Sequence, residues 1–460
     1  MATISFQDGL VVLRDIDKNL AEKLPSVCFD DRTLCWTAPA MAYRDIMMMA
    51  HKYHIPLQDL ARGYEHQPLE LTLGDKTPRP YQQLAIDRFW EVGQRRGVVI
   101  LPTGAGKTFV AMMAMVKVAR PTLIIVPTID LMHQWREVLT HAFKRDIGCL
   151  GGGERQVEDI TVSTFESAKL LLDQIGARFG FLIVDECHHL PGPNHQLVAR
   201  GCLAPFRLGL TATLERGDGQ EGLVFELLGP KVHETRIEEL TENVLAPYDV
   251  VEVPVDLTEE ERQVYESQRQ IWKTFCQVRG VRLGGARGWQ HLLSEVARSG
   301  DEGREALRAW RTQSKVASSA DGKFKALWEI LCTHAGERVI VFTSTNRVAY
   351  KIGQMFLLPV LTCQTKPQER KKLLQSFRDG DIQSLVTSKV LNEGVDVPEA
   401  SVAVVMSGSG QIREHVQRLG RILRSAPGKS AVMYEVVANE TSEMFVHERR
   451  RQHSAYQRPS

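Results

Sequence analysis

The chain lacks a charge excess, paired cysteines and any long apolar stretch, and each absence removes a class of protein. Its 57 Lys and Arg stand against 56 Asp and Glu, a net charge of +1. Any nucleic-acid footprint must therefore be a local groove of Lys and Arg, because the protein as a whole is not basic. The eight cysteines are scattered with no C-x-x-C pair, which argues against paired zinc ligands and fits reduced thiols in a cytosol. No apolar run reaches the ~18 residues of a membrane span, and Met1 to Asp8 lacks the charged and apolar regions of a secretory leader. The expectation is a soluble cytoplasmic protein with no membrane partner, nucleoid-associated if prokaryotic. A length of 460 residues with 43% hydrophobic content allows several packed cores, about three domains on the usual prior.

What the chain does have is Leu101-Pro102-Thr103-Gly104-Ala105-Gly106-Lys107-Thr108, preceded by the apolar run from Gly97. The run predicts a buried parallel strand, and two glycines let the following loop turn tightly, so that backbone N–H groups converge on phosphates. Phe109 to Val118 predicts a helix whose positive end faces them. Thr103, Gly104, Ala105, Gly106, Lys107 and Thr108 form the expected phosphate loop, with Lys107 a point charge and Thr108 a hydroxyl for Mg²⁺. The longer phosphate-loop pattern has glycine at position 101, where this chain has Leu101; Pro-Thr-Gly-x-Gly-Lys-Thr is the helicase variant. Downstream, Phe181 to Val184 is an apolar run ending in Asp185 and Glu186. Both carboxylates then sit at the C-terminal end of a second buried strand, where open α/β sheets bind ligands. Asp185 would hold Mg²⁺ and Glu186 would act as general base toward water. A zinc cluster of Cys187, His188, His189 and His195 is the alternative, without the usual pair spacing.

Along the chain, residues 1–70 combine alternating segments such as Ile4 to Phe6 and Leu10 to Leu13 with a Met-rich helical stretch, Tyr43 to His54. They read as a small α+β module. Residues 71–235 alternate apolar strands with helices, which implies a parallel sheet covered on both faces. A second such set occupies 320–460, so the fold class is α/β with two tandem parallel-sheet domains. Between them, 256–319 is charged and helical, opened by the capping box Thr258 to Glu261. Its Val264, Ile271, Trp272 and Phe275 recur at helical spacing as the inner face of a hairpin.

In this order the motifs resemble the superfamily 2 helicases, and within them the XPB (Rad25-type) group, over about Leu71 to Tyr434. The features that narrow the match are the Asp-Glu-x-His-His box with its following Leu-Pro, the thumb-like helical insertion, and a first module like that group's damage-recognition domain. The resemblance implies two RecA-like motor domains and an ATP-dependent 3′-to-5′ DNA helicase or translocase, in a repair role like nucleotide excision repair. It implies adenine reading by Arg79 and Gln82 of Pro78-Arg79-Pro80-Tyr81-Gln82. It further implies DNA contact or coupling through Thr128, Thr164, Thr211, Thr213, Arg216 and Asp218 in the first domain, and Thr343, Thr387, Gly394 and Asp396 in the second. Gln417, Arg421 and Arg424 of Gln417-Arg-Leu-Gly-Arg-Ile-Leu-Arg424 would join catalysis, the arginines three residues apart on one helix face and acting on charge at the γ-phosphate.

One departure stands out. Arg216-Gly217-Asp218 occupies the position of the group's Arg-Glu-Asp loop, implicated in duplex opening, so translocation is better supported than unwinding. Expected ligands are ATP, Mg²⁺ and single-stranded or forked DNA, with a nuclease partner suggested by archaeal members alone. Two alternatives stay open: a duplex translocase that does not separate strands, and a non-catalytic scaffold that recruits a nuclease through its N-terminal module or its basic tail, Glu448 to Arg451.

Overall fold

A computed structural model of the chain describes residues 2–65, 67–74, 76–102, 104–212, 214, 219–235, 248–281, 288–388, 400–406 and 431–443. The chain forms two compact units, 1–101 with 106–214 and 220–235, and 102–105 with 215–219 and 236–460.

The first unit holds two sheets. The N-terminal one is built from β1 (Ala2–Gln7), β2 (Leu10–Arg14), β3 (Cys28–Asp30), β4 (Cys35–Pro39) and β5 (Leu57–Leu60), in the order β3-β4-β2-β1-β5. Only β1 and β5 run parallel within it. Ile4, Val11, Leu13 and Ala38 face a core closed by Tyr43, Ile46 and Ala50 of the helix Tyr43–Lys52. This module is docked on its neighbour: Leu203, fully buried, belongs to the module's core. Gly63 N–H donates to Ala177 O at 3.0 Å, Arg44 reaches Gln94 O at 2.9 Å, and Arg96 pairs with Asp45 at 3.3 Å.

The larger sheet comprises β6 (Arg96–Ile100), β7 (Thr122–Val126), β8 (Gly148–Gly151), β9 (Glu154–Gln156), β10 (Ile160–Thr164), β11 (Phe181–Asp185), β12 (Phe206–Thr211) and β13 (Lys231–Glu234). Their order is β13-β6-β12-β11-β7-β10-β8-β9, parallel except for the β8–β9 pair. β7 and β11 are buried along their whole length, the reason their sequences are unbroken apolar runs and do not alternate. Arg207 on β12 is 1% exposed, and its guanidinium donates to the carbonyls of Ala199, Cys202, Ala204 and Leu227. Burial pulls its pKa down to about 10.

In the second unit, β14 (Tyr248–Val255), β15 (Val339–Phe342), β16 (Val360–Leu361), β17 (Ser384–Thr387), β18 (Val402–Val405) and β19 (Ala431–Ala438) make an all-parallel sheet among the described residues, in the order β14-β19-β18-β15-β17-β16. The insertion is helical, with Glu259–Val278, Gly288–Arg298 and Gly300–Ser318. The predicted capping box is present: Glu261 N–H donates to Thr258 Oγ1 at 3.3 Å and Thr258 N–H to Glu261 Oε2 at 3.0 Å. Its inner face needs one correction. Val264 is 45% exposed, and Tyr265 takes the buried position above Trp272 and Phe275. Tyr265 packs into the core of the second sheet while Trp272 and Phe275 pack with Trp310 inside the hairpin, so one helix serves two cores. Lys323, on the helix Asp321–Thr333, is fully buried and donates to Met406 O at 2.6 Å, Val436 O at 3.1 Å and Glu443 Oε2 at 2.6 Å.

Candidate functional site

Strand order sets the site. β12 lies between β6, which feeds the glycine loop, and β11, which ends in the acid pair. Neighbouring strands are about 4.8 Å apart, so the two C-terminal ends stand roughly 10 Å from each other, a span that a lysine side chain can bridge. Gly104 and Gly106 both take left-handed backbone, φ 85° and 84°, and the helix Lys107–Val118 starts directly afterwards. A methyl at Gly106 would collide with the amide nitrogen of Gln82, so this glycine is needed for conformation and for space. Gln82 is buried on the helix Pro80–Glu91, and its Oε1 accepts from Arg79 N–H at 3.0 Å. Its amide nitrogen is thereby turned toward the loop, while Arg79 itself is exposed and donates to Tyr81 OH at 3.2 Å.

Lys107 Nζ lies 3.4 Å from Glu186 Oε1, both side chains largely buried. Asp185 is fixed at both oxygens: Oδ2 accepts from the Trp135 indole N–H at 2.8 Å, and Oδ1 accepts from Glu186 N–H at 2.9 Å. Burial first, and the Glu186 charge second, push the Asp185 carboxyl up to about 6, against the lowering effect of Lys107 and of the indole. Glu186 has left-handed backbone, φ 48° and ψ 49°, which costs a non-glycine residue about 1–2 kcal/mol. Such strain persists only where surrounding structure imposes it, and it concentrates at functional positions. His188 has no exposed surface; its Nδ1 lies 2.9 Å from Thr211 Oγ1 and 3.3 Å from Glu186 Oε2. Thr211 ends β12, so one imidazole links the acid pair to the strand beside it.

Gly106, Lys107, Thr108, Asp185 and Glu186 suit a Mg²⁺-nucleotide. The donors are hard oxygens, and the cation available to phosphates is a lysine. Among the described residues, no group of three or more His, Cys, Asp or Glu side chains is placed to hold a metal ion by itself. His195 instead stacks on Phe165, ring centroids 4.4 Å apart, and bonds His189 O at 3.0 Å.

The residues expected near nucleic acid divide into three groups. Thr128 and Thr164 cap helices at the C-terminal ends of β7 and β10, Thr128 accepting from Leu131 N–H at 3.2 Å and Thr164 from Ser167 N–H at 3.3 Å. Thr211, Thr343 and Thr387 are buried; the Thr343 hydroxyl donates to Thr345 O and Thr387 O at 3.1 and 3.2 Å, so it ties β15 to β17. Thr213, Arg216, Asp218, Gly394 and Asp396 lie outside the described residues, as do Thr103 of the phosphate loop and the catalytic candidates Gln417, Arg421 and Arg424. The resemblance puts Gln134-Trp135 in a segment that touches the nucleic-acid backbone, but Trp135 is buried and its indole N–H donates to Asp185, a contact the sequence did not show. The available signal was Leu131, Trp135 and Leu139 at four-residue spacing, which says only that the ring points inward.

A glycine-turned loop and an acid pair at the carboxyl ends of one parallel sheet, with a second parallel sheet following in the same chain, are the parts of a superfamily 2 helicase motor. The family models concur: residues 75–216 match the type III restriction enzyme res subunit, 322–426 the helicase conserved C-terminal domain, and 4–61 the Xeroderma pigmentosum group B helicase damage recognition domain. A Sulfurisphaera tokodaii protein named DNA 3′-5′ translocase XPB2 is 39% identical over 93% of this chain and 96% of its own length. A Mycobacterium tuberculosis protein named DNA 3′-5′ helicase XPB is 33% identical over 94% and 72%. The chain belongs to the XPB family of superfamily 2 helicases. Solved structures agree in fold: the Pyrococcus furiosus Hef helicase domain (TM-score 0.55, 18% identity, 82% of this chain and 98% of that one), and S. cerevisiae Dbp5 bound to RNA and ADP BeF3 (TM-score 0.57, 16% identity, 82% and 88%). No helix among the described residues is long and apolar enough to cross a membrane.

Proposed function

We propose that this protein is a Mg²⁺-dependent ATPase that couples hydrolysis to 3′-to-5′ movement along DNA, in a repair role like nucleotide excision repair. The observation that carries the chemistry is the Lys107–Glu186 pair beside the doubly held Asp185 carboxylate. Thr108 and Asp185 would hold Mg²⁺, which would supply neutralisation of phosphate charge when bound. Lys107 leaves Glu186 for the phosphates, and the carboxylate it releases is then a base for the attacking water. His188 remains beside Glu186 and carries the change to Thr211 on β12. On the family pattern, Arg79 and Gln82 read the adenine, Arg421 and Arg424 act on γ-phosphate charge, and Gln417 joins them. Direction and DNA preference rest on the likeness to the two relatives named for 3′-5′ activity.

A second reading, movement on duplex without strand separation, is favoured by Gly217, which removes a carboxylate from the loop associated with opening. Steady-state ATPase activity with no nucleic acid, single-stranded DNA, blunt duplex or single-stranded RNA, at one low salt concentration, tests both. Stimulation by single-stranded DNA supports the first reading, and stimulation by duplex alone supports the second. Lys107→Ala and Glu186→Gln are expected to abolish turnover; unaltered turnover in either removes the catalytic assignment.

A further inference from the structure

Among the described residues, Trp135 is the largest of the fully buried side chains, 1% exposed, on the helix Ile129–Phe143. A buried indole N–H needs an acceptor, and many are met by backbone carbonyls. Here the acceptor is the carboxylate assigned to Mg²⁺, at 2.8 Å. With Glu186 N–H on the other oxygen at 2.9 Å, the plane of the carboxylate is fixed at both ends. An ionised carboxylate offers about four lone-pair sites, so two donors leave about two for a metal or its water shell. The donors also offset part of the charge that burial and Glu186 disfavour. Trp135 is itself held, because its helix buries Leu131, Met132, Leu139 and Phe143 along the same side.

We propose that Trp135 is a positioning residue that presents Asp185 to its metal, an inference that rests on the assignment of Asp185 above. Phenylalanine keeps most of the ring's volume and removes the donor, so Trp135→Phe separates packing from hydrogen bonding. The readout is the Mg²⁺ concentration needed to tighten binding of a fluorescent ATP analogue, without DNA and without turnover. Trp135→Phe is expected to raise that half-point about tenfold, as loss of a partner behind a metal ligand commonly does. Binding of the analogue in EDTA should be unchanged. A second readout leaves the fold untouched. In ¹⁵N-tryptophan-labelled wild type, which has seven tryptophans, Mn²⁺ with ADP should broaden one indole N–H signal ahead of the rest. An unchanged Mg²⁺ half-point in Trp135→Phe, or indole signals that all persist with Mn²⁺ and ADP, overturns the proposal. Asp185→Asn distinguishes the two levels of the argument. A half-point shifted further than in Trp135→Phe upholds the metal assignment, and an unchanged one removes that assignment together with this inference.

Discussion

Replacing Gly106 by alanine tests the geometry of the phosphate loop in two separable parts. The first part is backbone: φ 84° and ψ 40° is the left-handed region, where an L side chain costs about 1–2 kcal/mol. The second is steric, because the new methyl collides with the Gln82 amide nitrogen. That amide is the end of a flexible side chain, so it can move, but moving breaks the 3.0 Å bond from Arg79 N–H, a loss of about 1 kcal/mol. The expected destabilisation is therefore roughly 2–3 kcal/mol in the wild-type background and roughly 1–2 kcal/mol in Gln82→Ala, a coupling of about 1 kcal/mol. Urea unfolding of the four proteins of the cycle, followed by tryptophan fluorescence and circular dichroism, measures it. Equal costs in both backgrounds would refute the Gln82 contact, and no cost in either would refute the left-handed loop.

Lys323→Met should destabilise the second sheet's domain by about 3 kcal/mol, since it removes the cation paired with Glu443 and the donor to two carbonyls, leaving Glu443 Oε2 only the Ala438 N–H. Chemical denaturation checks this, and Lys323→Met combined with Glu443→Gln should recover part of the loss; no recovery would mean that the ion pair is incidental. His233, 5% exposed with Nε2 2.7 Å from Thr235 Oγ1, has its pKa lowered by burial from 6.5. The unfolded chain therefore takes up this proton first, so the contribution of His233 is present above 6.5 and is lost as pH falls below it. His233→Gln should flatten melting temperature against pH as pH falls below 6.5, and an unchanged slope would show that another group governs that range.

The parallel strands were legible because full burial forces unbroken apolar runs, and β7, β17 and β18 fall where those runs do. The cap at Thr258 was legible for a different reason: it is closed by a residue three positions away. What escaped the sequence is whatever depends on distant partners. Helical periodicity fixes a stripe about a hundred degrees wide, and it did not separate Val264 from Tyr265. Asp185 and Glu186 could be assigned to a strand end, but the indole on Asp185 comes from a helix 50 residues away in sequence, and a glutamate at 186 gives no sign of its left-handed backbone. Thr343, matched in sequence to a DNA-contacting or coupling segment, has its hydroxyl buried against the carbonyls of Thr345 and Thr387, a local tie that no sequence pattern marks.

Residues 1–70 read in sequence as a small α+β module, and the packing places that module in one compact unit with the first motor sheet. Leu203 lies in the module's core with no exposed surface, and Gly9 and Gly201 approach so closely that a methyl on Gly9 would stand 3.2 Å from the Gly201 backbone. A module held in this way cannot swing on a linker while the motor works; whatever it binds keeps a fixed position relative to β6 to β13. Removing residues 1–61 should therefore not yield an intact motor. It uncovers Leu203, costing about 1.5–3 kcal/mol for that side chain alone, and deprives Arg96 of Asp45. The expected outcome is a truncated chain that melts several degrees lower and aggregates, with Leu203→Ser in the truncated chain restoring solubility. A truncated chain that melts with the full-length protein would mean that the module is a passive appendage, and the fixed-reader argument would fail with it.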